Sequence, residues 1–514
     1  MLFRSDIAPS YQRIIGANIL VSINPFIRQD RMDYYPSRDP FNDVPATISQ
    51  KRRLTNYGFR AALSLVHNVH NLKVGTQITR TDLSERFRFG ITEPLFNAIC
   101  QDSDGNSLDL PAVTDPEACH SLGFEPNPGL APGLIPFDLT RGGSLLRFQD
   151  TGAINQYAAY VQDAITLGQW KVNAGLRVDR YDGISRATGV QPRLGFSYLV
   201  KRTATVLRGS YSRTFETPYN ENLLLSSSTG QGGLPGMGFG TTRVEPIKPG
   251  RRNQFNVGFQ QVLDGVVRID AGYFWKFTDN AFDFATLFDT PLTFPISWRK
   301  SKIDGAAIRI STPNLHGLTA YTTIGHTRAR FFGPENGGLI FNSSLDDGVF
   351  RIDHDQAFQQ ATNFYYQRPD GGPWVSFTWH YNSGMVSGDI SISDALSLTG
   401  DQQAAMGFFC GSQVATPDNP IRSCPSGGGA TRVRIPAPGT ANADLNPPRI
   451  VPRHLFDVGV GTDNLLHGDR TRLTLRFTVV NLTNTVALYN FLSTFSGTHF
   501  VTPRSYTAEM GIVF

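Results

Sequence analysis

The four cysteines are the most specific candidates for chemistry in this chain of 514 residues. Cys100 and Cys119 fall in one segment expected to be a loop, and Cys410 and Cys424 fall in another. An even number of cysteines confined to loops favours local disulfides formed in an oxidising, extracytoplasmic compartment. A zinc site would need closer spacing, such as CxxC, or a cluster of histidines. The sequence has neither, so we predict one disulfide in each loop and no metal.

Asp353, His354 and Asp355 are adjacent and could serve as metal ligands or as an acid and base. Neighbouring residues on a strand point to opposite faces, so these three converge only if a turn intervenes. The alternative, a polar rim at the start of a strand, fits the pattern better. The glycine-rich run 230–240 lacks the Lys-Ser/Thr of a phosphate-binding loop and is interpreted as a loop tip.

No Ser-His-Asp order or paired-carboxylate motif rises above what 43 acidic residues produce by chance. The sequence therefore predicts no catalytic residue, no cofactor and no enzyme activity. A net charge of +4 spread along the chain forms no basic stripe, so we expect no nucleic-acid partner.

Composition favours many strands joined by turns, with 50 Gly, 32 Pro, 11% aromatic and only 18% charged residues. No run approaches the roughly 18 apolar residues of a membrane-spanning helix, and the mean hydropathy is −0.22. A spanning strand needs only about 9–11 residues, half of which face a polar lumen. Asp6, Pro9 and Gln12 interrupt the position of a signal-peptide core, so we expect either no export or a missing start.

Strict alternation of apolar and polar residues marks the strands. In residues 471–481 the apolar face carries Leu473, Leu475, Phe477 and Val479, and residues 169–181, 192–200, 251–261 and 374–382 repeat the pattern. We place about 16 strands, with ends uncertain by about 2–4 residues. Their ranges are 11–25, 53–67, 70–88, 146–167, 170–182, 191–201, 204–216, 250–263, 266–286, 293–312, 317–332, 354–367, 373–384, 453–463, 470–482 and 501–514.

The connections between these strands alternate between short and long. Short links near residues 68, 168, 201, 264, 314, 369 and 466 separate longer links, among them the long links 28–52 and 484–500 and the moderate link 183–190. Short turns on one rim and long loops on the other are typical of an outer-membrane barrel, with turns in the periplasm and loops outside. The pattern predicts an all-β, transmembrane, antiparallel up-and-down β-barrel with long extracellular loops and short periplasmic turns. The last strand places Tyr506, Ala508, Met510, Ile512 and Phe514 on one lipid-facing side.

The closing segment carries a recognisable order of motifs. Asn481, Leu482 and Asn484 fit an N-L-x-N motif, Pro503 and Arg504 form a PR turn, and the chain ends on Phe514. In this order the segment resembles the closing segment of TonB-dependent receptors. Segments 175–183, 191–200, 207–218 and 303–312 are also similar to the family, closest to its Oar-like branch.

The resemblance implies a larger receptor barrel of about 22 strands with a plug domain. This chain shows no signal peptide, TonB box or plug, so residues 1–514 are interpreted as a partial barrel, a C-terminal fragment lacking the plug. Sixteen strands could close like a porin, but a sheet cut from a larger barrel would keep unpaired edges.

The resemblance also implies ligand binding and TonB-dependent uptake of a nutrient such as an iron chelate or oligosaccharide. Ligand contacts are expected from the long loops 91–145, 217–249 and 385–452, because loops carry recognition on a rigid scaffold. Expected partners are outer-membrane lipid, the barrel-assembly machinery through the C-terminal strand, an unknown small ligand, and TonB only if a plug is supplied. The expected location is the cell outer membrane of a Gram-negative bacterium. The alternatives are a passive porin-like or structural barrel and a secreted, soluble, β-rich glycan-binding protein.

Overall fold

The structure is a computed structural model. It describes residues 2–226, 246–287, 290–337, 348–352, 355–369, 371–387, 396, 398–424, 428–430, 433–434, 445, 447, 449–468, 470–493 and 497–514.

Strands dominate the described residues. In chain order they are β1 Leu2–Ile7, β2 Tyr11–Ile15, β3 Ile19–Tyr34, β4 Ala46–His67, β5 His70–Ile91, β6 Cys100–Gln101, β7 Glu125–Pro126, β8 Leu146–Leu167, β9 Trp170–Asp182, β10 Arg186–Val200, β11 Thr205–Glu216, β12 Gly250–Leu263, β13 Val267–Thr286, β14 Thr293–Leu315, β15 Leu318–Gly337, β16 Val349–Arg351, β17 Gln359–Gln367, β18 Trp374–Asn382, β19 Phe408–Cys410, β20 Gln413–Val414, β21 Gly428–Ala430, β22 Val433–Arg434, β23 Arg449–Ile450, β24 Arg453–Thr462, β25 Arg472–Val480, β26 Leu488–Ser493, β27 Gly497–Phe500 and β28 Ser505–Val513.

The helices are short. The described α-helices are α1 Ala118–Ser121, α2 Leu223–Ser226 and α3 Gly400–Met406, and 3-10 turns occupy Pro40–Asn42, Pro132–Phe137, Leu139–Arg141 and Lys201–Thr203. Within the described ranges, none of the helices has the length and apolar character needed to cross a membrane.

Nineteen strands form one antiparallel sheet in which neighbouring strands follow one another along the chain, except at two places where two shorter strands share one partner. β1 and β2 lie end to end along β3, and β16 and β17 lie end to end along β15, so the sheet is seventeen strands wide. Among the described residues, β28 pairs only with β25, and β1 and β2 pair only with β3. The up-and-down antiparallel fold predicted from the alternation is confirmed, and the sheet has an open edge at each end.

The predicted first strand, 11–25, is wrong. A turn at residues 16–18 divides it into β2 and β3, and Tyr11 lies opposite Ile23. Gly16 has a φ of +62°, a conformation that glycine adopts at little cost. The apolar alternation continues on both sides of the turn, which concealed the hairpin.

The alternation of link lengths is present in the structure. Short turns between β4 and β5, β8 and β9, β12 and β13, and β14 and β15 lie on one rim, here called the short-turn rim. The strand ends from which links 92–145, 217–249 and 383–452 begin, those of β5, β11 and β18, lie on the opposite, long-loop rim. The predicted link 183–190 is shorter than expected, because β10 begins at Arg186 and leaves three residues for the turn.

The two faces of the sheet differ in chemistry. The outward face exposes large apolar side chains, including Leu63, Val74, Ile78, Val161, Leu176, Leu194, Phe196, Leu207, Val257 and Phe259, with 37–53% of each exposed. The inward face at the same height carries polar residues, among them Gln77, Gln162, Asn173, Arg177 and Arg193. Adjacent residues along a strand therefore face different surroundings, as the alternation predicts.

The apolar outward band ends part way along each long strand. On β5 the outward positions are Leu72, Val74 and Ile78, followed toward the long-loop rim by Arg80 and Asp82. Tyr57 and Tyr157 flank this boundary on β4 and β8. The rest of each strand, toward the long-loop rim, lies beyond the apolar band and is enclosed by loops on its inward face.

Candidate functional site

Residues 217–226, here called the α2 segment, fold back onto the inward face at the long-loop rim. Leu223, Leu224 and Leu225 are buried there. They join a core with Leu83, Phe87 and Ile154, which are inward residues of β5 and β8. Apolar residues on an inward face that is otherwise polar are thus explained by the loop packed over them.

Two polar contacts fix the α2 segment to two widely separated strands at the long-loop rim. The side chain of Gln50 on β4 donates to the Asn222 side-chain oxygen. The Asn222 amide donates to the carbonyl oxygen of Thr293 on β14, at 2.8 Å. β4 and β14 are far apart in the order of the sheet. The α2 segment therefore connects distant strands of the 19-stranded sheet, here called the wall, and lies over part of its inward face at the long-loop rim.

Glu85 on β5 anchors the same segment. Its carboxylate accepts hydrogen bonds from the backbone N–H of Leu224 at 3.2 Å and of Leu225 at 2.9 Å, and the side chain is fully buried. Burial raises the pKa of Glu85 to about 7, against the lowering effect of these two N–H donors and of the Arg52 charge. Glu85 lies beyond the apolar band, seven residues past Ile78.

A polar cavity of about 670 Å³ lies next to the α2 segment. Residues 217–221 form one side, and inward residues of β3, β4, β5 and β8 form the other, including Asn24, Asp30, Asn56, Gln77 and Gln156. Its size and polar lining suit a small polar ligand.

Tyr219 is the aromatic residue that the α2 segment contributes to this cavity, and Phe26 on β3 is another in its lining. Its ring stacks on Phe284 with centroids 4.2 Å apart. Burial raises the pKa of Tyr219, and the negative charges of Glu216, Asp283 and Glu221 raise it further. The phenol is therefore a neutral donor at neutral pH.

The first long loop, residues 92–145, has its own small core. A disulfide joins Cys100 and Cys119, whose Cα atoms are 5.6 Å apart, and both pack with Ile99 and Val113. Asp138 and Arg141 form a buried ion pair at the base of the loop. The loop is thus a preformed unit rather than an extended chain.

The loop between β18 and β24 is built in a similar way. Cys410 and Cys424 form a disulfide with Cα atoms 5.5 Å apart. The buried Gln403 accepts from the N–H of Ile421 at 2.8 Å and donates to its carbonyl at 3.1 Å. Thr399 and Gln402 form a reciprocal cap at the start of α3.

Asp355 ties this loop to the wall. It is buried and accepts from the backbone N–H of Ala329 at 2.6 Å and from Arg351 at 2.8 Å, and it forms an ion pair with Arg449. These contacts join the segment before β17 to β15, β16 and β23. Asp353 and His354 lie outside the described residues, as does the glycine-rich run 230–240.

The residues of the closing motif form a corner between β25 and the last loop. The Asn481 amide donates to the carbonyl oxygens of Thr485 and Thr502, each at 3.0 Å. The Asn484 side chain accepts from the N–H of Arg504 at 3.1 Å, and Leu482 donates its N–H to the Phe456 carbonyl at 2.7 Å. Pro503 lies in the same corner, and Phe514 is 93% exposed on the outward side.

Sequence reasoning missed Glu85 and the α2 segment. The signal was a single carboxylate among the inward residues Leu83, Phe87 and Phe89. The inward face of β5 is apolar at these positions, whereas it is polar nearer the short-turn rim. The partners of Glu85 lie 139 and 140 residues away, so no local pattern identifies them.

Comparison with known proteins gives a family and a set of folds. The model of the family described as TonB dependent receptor-like, beta-barrel, matches residues 11–482. No curated protein matches the chain. The solved structure of the copper transporter OprC is similar, with a TM-score of 0.58 and 11% identity over 99% of this chain and 65% of that one.

Two further structures have the same fold. The ferric citrate transporter FecA in its unliganded form has a TM-score of 0.57 and 13% identity, over 99% of this chain and 61% of that one. The ferric yersiniabactin uptake receptor FyuA from Yersinia pestis has a TM-score of 0.57 and 8% identity, with the same coverage of 99% and 61%. The chain spans 61–65% of the length of these three structures.

Proposed function

Because the chain belongs to the family of TonB-dependent receptor-like β-barrels, we propose that it forms the barrel part of an outer-membrane receptor for nutrient uptake. The main observation in support of this proposal is that the α2 segment connects β4 to β14 at the long-loop rim, next to a polar cavity. In the proposed orientation the long-loop rim faces outside the cell, and the apolar outward band contacts outer-membrane lipid.

The ligand is proposed to bind between the long loops and the inward face. The cavity at residues 217–221 offers carboxylates, amides and the Tyr219 phenol. The similar structures are named for copper, ferric citrate and ferric yersiniabactin. A metal chelate is therefore the first class of ligand to test, with oligosaccharides as the second.

Coupling to TonB is proposed to need a plug domain in addition to this barrel, as the family resemblance implies. We propose that the chain belongs to the Oar-like branch, on the closing segment 481–514 together with segments 175–183, 191–200, 207–218 and 303–312. Recognition by the barrel-assembly machinery is proposed to use β28, whose outward residues Tyr506, Met510 and Ile512 are exposed.

The first test is location followed by binding. The full chain, expressed with an export signal in a Gram-negative host, should fractionate with outer membranes and require detergent for purification. Purified protein is then titrated with ferric citrate, a ferric catecholate and Cu²⁺, with intrinsic fluorescence as the readout. Tyr219→Ala should weaken binding by about tenfold, as expected when a ligand covers an exposed aromatic side chain. Tyr57→Ala, on the outward face, is the matched control.

A soluble, periplasmic product would refute the outer-membrane proposal. Equal binding by Tyr219→Ala and the wild type would remove the cavity as the ligand site. The polar inward face also favours a passive porin-like barrel, which would conduct ions in a planar bilayer without TonB. Conductance that is unaffected by any of the three ligands would support that alternative and count against a receptor.

A further inference from the structure

A group of cations covers the outward face between the apolar band and the long-loop rim. It lies on β3, β4, β5 and β8, and is here called the basic patch. Its members are Arg31, Lys51, Arg53, Arg86, Arg88 and Arg147. All six are exposed.

The strand register places these cations directly against each other. Arg31 lies opposite Arg53, Lys51 opposite Arg86, and Arg88 opposite Arg147. Like charges at directly opposed positions of a sheet are destabilising. Three such pairs on adjoining strands indicate that an external anion compensates them.

The protein supplies little compensation. Its one carboxylate within the patch, among the described residues, is Asp33, which pairs with Arg31 at 2.8 Å, lies directly opposite Lys51 in the register and is itself buried. Lys51 lies over the ring of Tyr35, with 5.9 Å from its ammonium to the centroid. Across the residues that the structure describes, Arg53, Arg86, Arg88 and Arg147 have no ion pair or side-chain hydrogen bond.

The height of the patch indicates the source of the anion. Ile27 and Tyr57 lie opposite each other at the edge of the apolar band. Arg31 and Arg53 follow four residues later, about 13 Å along the strands at about 3.3 Å per residue. With strands tilted by about 45°, this rise reaches the polar head groups outside the hydrocarbon core. Arg88 and Arg147 lie a further four residues out, above the level of a phospholipid head group.

We propose that the basic patch binds the phosphates of a phosphorylated glycolipid in the leaflet that surrounds the long-loop rim. Guanidinium groups are suited to this role because they bind phosphate oxygens in bidentate geometry. The tall, multiply charged head group of such a lipid matches three successive rows of cations. This inference rests on the proposed outer-membrane location and not on ligand uptake.

The test uses the full chain purified from membranes in mild detergent and titrated with diphosphorylated lipid A. Lipid bound is counted by native mass spectrometry. The variant Arg53→Gln, Arg86→Gln, Arg88→Gln, Arg147→Gln should lose affinity by at least about tenfold, because it removes charge-assisted contacts to phosphate. The matched control Lys201→Gln, Arg202→Gln, Arg470→Gln, Arg472→Gln removes equal charge from the exposed short-turn rim and should bind as the wild type does.

Dephosphorylated lipid A should bind the wild type as weakly as lipid A binds the patch variant. A patch variant that binds lipid A like the wild type would overturn the proposal, and so would equal binding of the two lipids. Lipid-free thermal unfolding gives a second readout. The patch variant should be at least as stable as the wild type, since opposed charges are removed, and lipid A should raise the Tm of the wild type alone. Neither readout depends on nutrient binding.

Discussion

Glu85 shows how one side chain can organise a loop that is distant in sequence. Its carboxylate receives the N–H groups of Leu224 and Leu225 inside a buried cluster. Replacing it with alanine leaves two buried donors without an acceptor, and each such donor costs about 1–3 kcal/mol.

We expect Glu85→Ala to release the α2 segment. Limited proteolysis should cut residues 217–226 faster in this variant than in the wild type, while the rest of the wall stays resistant. Ser84→Ala, at the neighbouring outward position, is the control and should leave cleavage unchanged. Equal cleavage of the two variants would show that Glu85 does not hold the segment.

The raised pKa of Glu85 predicts a pH dependence. The carboxyl titrates near 4.5 when unfolded and at about 7 in the folded protein. The stability that the buried, neutral carboxyl contributes is therefore fully present below pH 4.5 and is lost as the pH rises through about 7. Proteolysis of the α2 segment should accelerate over this range in the wild type. Glu85→Gln should abolish the pH dependence, and a dependence that persists in Glu85→Gln would assign it to another group.

At the scale of elements, the contrast between the two faces can be tested with neighbouring residues on β8. Val161 is on the outward face, midway along the apolar band, and Gln162 faces inward. Val161→Arg should lower stability in membranes by about 2–4 kcal/mol, the cost of a cation at mid-bilayer on a lipid-facing site. Gln162→Arg should cost little, because the inward face is polar. Urea titration in lipid vesicles measures both, and equal costs would refute the assignment of faces.

The disulfide loops are elements of a second kind. The Cys100–Cys119 bridge spans 19 residues and lies inside a small local core. Cys100→Ser with Cys119→Ser should destabilise that loop by about 2–4 kcal/mol without altering the wall. Protease cleavage within residues 92–145, compared with cleavage at the intact Cys410–Cys424 loop, measures the effect. Faster protease cleavage throughout the wall, and not only within residues 92–145, would contradict this local role.

The wall could be predicted from sequence more fully than the site. Predicted ranges such as 146–167, 170–182 and 250–263 coincide with β8, β9 and β12. Opposed surroundings on the two faces impose a strict alternation that is visible within one strand. The first hairpin was missed because the same alternation runs through its turn. The site was missed because Glu85 and Leu224 are brought together only by the folded sheet.

At the scale of the whole molecule, the large sheet of the described residues has two edges. In the described residues, β1 and β2 at one edge make no pair with β28 at the other. Unsatisfied backbone groups cost several kcal/mol each in lipid, so we expect other strands to cover these edges in the membrane.

Cysteine crosslinking can test this arrangement. Thr478→Cys with Thr507→Cys should crosslink readily, because these residues are directly opposed on β25 and β28. Gln12→Cys, combined in turn with Thr507→Cys or Glu509→Cys, should not crosslink within one chain. An efficient intramolecular link between β2 and β28 would show instead that seventeen strands close into a barrel.

The opposed faces also limit how such a protein can change in length. One residue inserted in the middle of β8 would move every side chain that follows in that strand to the opposite face of the sheet. Insertions should therefore survive in the links of the long-loop rim and be eliminated from the wall. Differences in size among natural variants of this chain would then accumulate in the links of the long-loop rim, leaving the number of strands in the large sheet unchanged.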